Sequence, residues 1–131
     1  MTFIRRAVIL VAVAWAMTGA AAAAEFRAFD RAAFLQAQAE GRPILVEVFA
    51  PWCPTCRAQA PIVRSIANDA AFANLIVFRI DYDNQREEWR ALNVRRQSTL
   101  IAYRGARETD RLVAATSPER IGSLMRSAIV P

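Results

Sequence analysis

The sequence contains no histidine and no lysine, and it has only two cysteines and four glycines in 131 residues. Each scarcity excludes something. Without histidine, no Cys–His or Ser–His–Asp nucleophile system can be assembled from this chain. Imidazole-based metal sites are excluded on the same ground. Without lysine, all 17 basic residues are arginine, and they are interleaved with 12 acidic residues rather than gathered into a stripe. That pattern argues against a nucleic-acid partner. The two cysteines, Cys53 and Cys56, lie three apart. A disulfide closing so short a loop would remove little entropy from the unfolded chain. Reactivity therefore accounts for the pair better than stabilisation does.

Hydrophobic residues make up 55% of the chain, more than an ordinary soluble domain carries. The excess is concentrated at the start. Arg5 and Arg6 precede an apolar run from Ala7 to Met17, and small residues follow from Gly19 to Ala24. This is the order of a secretory leader, with Ala22 and Ala24 at A-x-A spacing and cleavage expected before Glu25. The alternative is an uncleaved membrane anchor. The strongly apolar stretch is short for a span of about 20 residues. Either reading places the rest of the chain outside the cytoplasm, in the periplasm. Residues 25–131 form one domain of modest core, with fifteen arginines against twelve acids.

The remainder reads as alternating strands and helices. Glu25–Phe29 is a first strand, and Asp30 caps a helix over Arg31–Glu40 with Phe34, Leu35 and Gln38 on its inner turn. Gly41-Arg42-Pro43 stops that helix. Ile44–Ala50 is a continuous apolar run with one acid, Glu47, which suits a buried central strand. A helix opens at Cys53 and runs to about Ala67, with Ala60, Val63 and Ala67 facing inward and a kink expected at Pro61. Leu75–Tyr82 is a strand, Asn84–Leu92 a short helix and Leu100–Tyr103 a strand. A turn at Gly105 leads to a last strand near Arg111–Ala115. Ser117 and Pro118 open a closing helix to Ala128, with Ile121, Leu124, Met125 and Ala128 on its apolar face. The order βαβαβαββα predicts an α/β sandwich around a mixed sheet.

In this setting the Cys-x-x-Cys acquires a chemical meaning. Thiolate is the nucleophile of disulfide exchange. Placing Cys53 at the first turn of a helix favours its negative charge through unpaired N–H groups and the helix dipole. Cys56 lies one turn on, on the same face. Cys53 is expected to attack and Cys56 to resolve the mixed disulfide. Pro54, which has no N–H to donate, and Thr55 are expected to tune the nucleophile. A bare Cys-x-x-Cys is also half a zinc site, but the chain offers no second pair of ligands. An inert staple is the third reading.

The stretch Val46-Glu47-Val48-Phe49-Ala50-Pro51-Trp52-Cys53-Pro54-Thr55-Cys56 resembles the active-site segment of the thioredoxin family. The likeness continues through Phe78–Asp83, Asn93-Val94-Arg95, the Thr99–Tyr103 strand, Gly105 and the last helix, covering residues 25–131. It implies the thioredoxin fold and a dithiol–disulfide oxidoreductase. It also implies a client surface formed by Trp52, Pro54, Thr55, Gln97, Ser98 and Thr99. Glu47 stands where thioredoxins have a buried Asp, a choice closer to periplasmic oxidants of the same fold, although their large helical insertion is absent. Arg79 stands where many thioredoxins have a Lys. Ser98 stands where the family has a cis-proline. A cis peptide before serine is costly, by about 2.5–4 kcal/mol, so the Gln97–Ser98 bond is expected to be trans. The missing ring leaves room for a hydroxyl bond to Cys53 or for a soft metal beside the sulfurs.

Several roles remain open between two readings. Glu47 is expected to titrate upward on burial and to move a proton to or from Cys56; the alternative is a Glu paired with Arg79 or reaching water. Trp52 is a contact residue beside the sulfurs or simply packed. Trp89 is a packing residue, and Asp81 and Asp83 are turn residues. No cofactor and no metal are implied, because the cysteine pair carries the two electrons. Partners are protein dithiols and disulfides, with a membrane or periplasmic redox protein to regenerate the pair, and a monomer is expected. A reductant is favoured over an oxidant. Outside that class stands a module that holds copper, zinc or a client through the same loop without turnover.

Overall fold

The computed structural model describes residues 23–131. The expected leader, residues 1–24, therefore lies outside the described residues except for Ala23 and Ala24. The elements are β1 (Glu25–Ala28), α1 (Arg31–Ala39), β2 (Pro43–Phe49), α2 (Pro54–Ala67), β3 (Ile76–Asp81), α3 (Arg86–Ala91), β4 (Thr99–Arg104), β5 (Arg107–Val113) and α4 (Pro118–Ile129), with a short 3₁₀ turn at Ala70–Phe72. The five strands form one sheet in the order β1-β3-β2-β4-β5. β3 runs parallel to both β1 and β2. β4 is antiparallel to β2 and to β5.

β2 is the central strand, and its sequence explains why. Ile44, Leu45, Val46, Glu47 and Val48 are all buried, as a strand covered on both faces requires. Alternation sends Ile44, Val46 and Val48 into one core, where Phe29, Phe34, Phe78 and Trp89 meet them. Leu45 goes into the other, with Val63, Ala67, Leu100, Ile121, Leu124 and Met125. Glu47 shares that second side, beneath α2 and α4. The caps hold as the sequence implies. Asp30 accepts the Ala33 N–H at the start of α1, and Ser117 accepts the Arg120 N–H ahead of Pro118 in α4. α2 continues unbroken through Pro61, which lies on its exposed side.

Two expectations change. Leu35 is 55% exposed; the inner face of α1 is carried by Phe34 and Ala37. β5 begins at Arg107 and ends at Val113, not Arg111–Ala115, and it pairs with β4 across a register shift at Ala102/Tyr103. The turn between them needs its glycine. Gly105 has φ +58°, and a Cβ there would meet the Gly41 Cα at 3.1 Å and the Gln38 carbonyl oxygen at 3.2 Å.

Candidate active site

β2 delivers the chain to a buried Ala50 and an exposed Pro51-Trp52 turn. The Cys53 N–H donates back to the Ala50 carbonyl (3.1 Å), closing that turn. Cys53 is the N-cap residue of α2, with extended backbone (φ −86°, ψ 113°) and Pro54 as the first helical residue. An N-cap side chain accepts an orphan N–H of the first turn. Here the acceptor is sulfur: the Cys56 N–H donates to Cys53 Sγ at 3.2 Å. Both cysteines are 2% exposed and are free thiols.

The two sulfurs share one further neighbour. Ser98 Oγ lies 3.1 Å from Cys53 Sγ and 3.3 Å from Cys56 Sγ. Cys56 Sγ is also 3.8 Å from the Val48 carbonyl oxygen. These contacts separate the two thiols electrically. Burial by itself would push the Cys53 thiol up, but hydrogen bonds from the Cys56 thiol, the Ser98 hydroxyl and the Cys56 and Thr55 backbone outweigh it, and the pKa falls below the ordinary 9.0. Burial pushes Cys56 above that value, and its role as donor to Cys53 adds to the rise. A depressed thiol pKa means more thiolate at neutral pH, so a limiting alkylating reagent should label Cys53 before Cys56. Peptide mapping after such labelling checks this; equal labelling, or Cys56 first, would contradict it.

Ser98 is held by its backbone. The described residues contain no cis peptide bond, so Gln97–Ser98 is trans as expected, and Ser98 adopts the left-handed region at φ +62°. Its N–H donates to the Val48 carbonyl (2.9 Å), and its carbonyl accepts from the Ala114 N–H (2.9 Å) and from Gln59 Nε2 (3.2 Å). Ser98 is 1% exposed. Thr99, equally buried, donates its hydroxyl to the Arg96 carbonyl at 2.8 Å. Gln97 and Thr55 are half-buried, and Pro54 is exposed.

Glu47 sits one residue before the carbonyl that Cys56 approaches. Its carboxylate pairs with Arg79 Nε at 2.7 Å, and the Arg79 guanidinium lies over the Phe49 ring, 3.8 Å from its centroid. Among the described residues, the Glu47 carboxylate is hydrogen-bonded to Arg79 and to neither thiol. Glu47 and Arg79 line a cleft of about 610 Å³ that also reaches Pro51, Arg64 and Asp81. Trp52 is 56% exposed. Its indole N–H donates to both Asp83 carboxylate oxygens (2.9 and 3.2 Å), and its ring meets Tyr82 edge-on. Trp89 is buried and stacks on Tyr82. Asp81 accepts the N–H groups of Asp83 and Asn84, as a turn residue.

Sequence reasoning missed two participants. Gln59 is buried on α2, and its amide donates to the Ser98 and Ala115 carbonyls. Its signal is a polar residue one helical turn after Cys56 and one before Val63, in an otherwise apolar stripe. Asp83 orients Trp52, and no spacing in the sequence announces that contact.

Comparison with known proteins agrees with this geometry. The Thioredoxin family model matches residues 25–127. A thioredoxin of Mycobacterium tuberculosis is 29% identical over 99 residues, spanning 76% of this chain and 84% of that protein. Thioredoxin Asp f 28 of Aspergillus fumigatus is 25% identical over 100 residues, spanning 76% and 91%. The crystal structure of Trxlp from Edwardsiella tarda superposes with a TM-score of 0.75 at 37% identity, over 77% of this chain and 98% of that one. Malassezia sympodialis thioredoxin shares the fold at 16% identity, with a TM-score of 0.71 over 81% of this chain and 95% of its own.

Proposed function

The chain belongs to the thioredoxin family and is a thiol–disulfide oxidoreductase, and we propose that it reduces protein disulfides outside the cytoplasm through Cys53 and Cys56. The observation that carries the reading is the Cys53 sulfur at the N-cap of α2, accepting the Cys56 N–H and facing the Ser98 hydroxyl. Cys53 attacks a client disulfide. One client sulfur joins Cys53, and the other leaves as a thiolate and takes a proton. Cys56 then loses its proton and attacks Cys53 Sγ, and the second client sulfur leaves. The client gains two electrons and two protons, and this chain ends as a disulfide. A redox partner at the membrane or in the periplasm must return the electrons.

The Mycobacterium tuberculosis and Aspergillus fumigatus relatives are thioredoxins, and only residues 68–85, which include β3, separate α2 from α3, too few for the helical insertion of periplasmic oxidants. The location rests on the leader pattern of residues 1–24. A second reading, an oxidant, draws on a specific contact. Hydrogen bonds to a thiolate stabilise the reduced pair, and a stabilised reduced form is a stronger oxidant. Thiol trapping on protein taken directly from cells separates the two. A mainly reduced pair supports the reductant, and a mainly oxidised pair overturns it in favour of the oxidant.

Trp52, Pro54, Thr55 and the Gln97–Thr99 loop form the client surface in this reading. Glu47, one residue before the Val48 carbonyl that Cys56 approaches, handles the proton released at resolution in this reading. Glu47→Gln keeps the shape and removes the titrating group, so resolution near neutral pH should slow by roughly tenfold or more while the first attack changes little. Rapid-quench separation of the two steps checks this. Unchanged resolution would reduce Glu47 to the partner of Arg79.

A further inference from the structure

The Ser98 hydroxyl faces both sulfurs, although the exchange needs one thiolate at a time. We propose that Ser98 Oγ is a single hydrogen-bond donor used in turn by the two cysteines, serving Cys53 during attack and Cys56 during resolution. The inference rests on the exchange chemistry proposed above and adds a catalytic residue to it.

Among the described residues, that hydroxyl has no hydrogen-bond partner besides the two sulfurs. Its partners are Cys53 Sγ at 3.1 Å and Cys56 Sγ at 3.3 Å. The residue is 1% exposed, so bulk water does not compete. The backbone cannot swing away, because the Ser98 N–H is bonded to Val48 and its carbonyl to Ala114 and Gln59. The left-handed φ of +62° is unfavourable for any residue with a Cβ, by about 1–2 kcal/mol, and such strain persists where surrounding contacts over-determine it. The result is a fixed Cα and Cβ; with Oγ within reach of both sulfurs, rotation about Cβ–Oγ is enough to carry the hydrogen from one sulfur to the other.

The chemistry supplies the reason for it to move. While Cys53 is the thiolate, it is the stronger acceptor and draws the hydroxyl hydrogen. When Cys53 Sγ bonds to the client sulfur, its charge leaves with the departing client thiolate. A disulfide sulfur is a weak acceptor, so the donor is released. Cys56 is buried, and its thiol is held up by that burial. As its proton departs, the developing thiolate becomes the best acceptor within reach, and the same O–H turns to it. Cys56 Sγ then bonds to Cys53 Sγ, and the electron pair of the broken bond goes to the client sulfur, which takes a proton. Ser98 keeps its own proton throughout, so it is a donor and not a base. Tyr82 packs against the Ala50–Cys53–Cys56 cluster, and Glu47, paired with Arg79, is the titratable group to which the proposed resolution step passes its proton.

The test compares Ser98→Ala with Ser98→Gly. Both remove the hydroxyl; glycine also relieves the positive φ, which alanine does not. Ultraviolet titration of thiolate absorbance would follow Cys53 in the intact pair and Cys56 in a Cys53→Ser background. Rapid-quench kinetics with a peptide disulfide would time the two steps. A hydrogen bond to a charged group is strong enough that each thiol should titrate about one unit higher in both variants, with resolution roughly tenfold slower. A rise at Cys53 with Cys56 and resolution unchanged would overturn the shared donor. Slowing in the alanine variant that glycine restores would assign the effect to backbone strain and also overturn it. An active wild type whose thiols ignore both substitutions would sink this inference alone. A wild type whose thiols shift as expected but which never exchanges with a disulfide would sink the oxidoreductant reading and, with it, the two-step role.

Discussion

Cys53→Ser should abolish disulfide exchange, whereas Cys56→Ser should attack once and stop. The asymmetry follows from the N-cap. Cys53 Sγ receives the Cys56 N–H and the Ser98 hydroxyl, and its thiol is the one whose pKa is depressed. With serine at 53, no thiolate stands at the start of α2, and Cys56 is buried with a raised pKa. Exchange with a peptide disulfide should fall to the background rate. With serine at 56, Cys53 still attacks, but nothing resolves the product, so covalent client adducts should accumulate. Gel separation without reductant, followed by mass spectrometry, checks both. Adducts in the Cys53→Ser chain and none in the Cys56→Ser chain would reverse the roles.

The second large effect is expected at Gln59. Its amide is a buried bracket between α2 and two carbonyls, Ser98 at 3.2 Å and Ala115 at 2.8 Å. Gln59→Leu removes the donor and strands the Ala115 carbonyl, a loss of about 1–3 kcal/mol. That is a large share of a total stability of roughly 5–15 kcal/mol. Gln59→Glu is nearly the same shape but presents acceptor to acceptor. It should be worse at neutral pH than the leucine variant, because an unpaired charge is buried facing two carbonyl oxygens. Burial would raise that carboxyl's pKa above its unfolded value, so its penalty applies above the folded pKa and eases as pH falls. Urea unfolding of both variants across acid to neutral pH checks the order. A glutamate variant as stable as wild type would show that the Gln59 amide does not hold the Ser98 loop.

The parts of this fold that could be read from sequence are those with a local physical signature. β2 is legible because five consecutive buried residues demand cover on both faces, and α2 because Ala60, Val63 and Ala67 recur at helical spacing after Cys53. Leu35 misleads because α1 is short. Phe34, Leu35 and Gln38 make a plausible stripe, yet the face set by the sheet runs through Phe34 and Ala37, and Leu35 lies about 100° round the helix. β5 is blurred because it is an edge strand. Its residues Arg107-Glu108-Thr109-Asp110 carry no apolar alternation, and what makes them a strand is pairing with β4 across a register shift. At the site, Cys53, Cys56 and the absence of proline at 98 are visible in the letters. The left-handed backbone of Ser98, the contact of its hydroxyl with Cys56 as well as with Cys53, and the Gln59 bracket are not, because each depends on β2, α2 and the chain after β5 converging.

In the proposed reaction Cys53 and Cys56 together pass two electrons to a protein disulfide. Intact-mass measurement on the reduced wild-type chain, mixed with an excess of a disulfide-bonded protein, tests it directly. The expected result is a loss of two hydrogens from this chain, matched mole for mole by two gained in the client, with peptide mapping placing the new disulfide between Cys53 and Cys56. A chain that keeps both thiols while the client keeps its disulfide would contradict it.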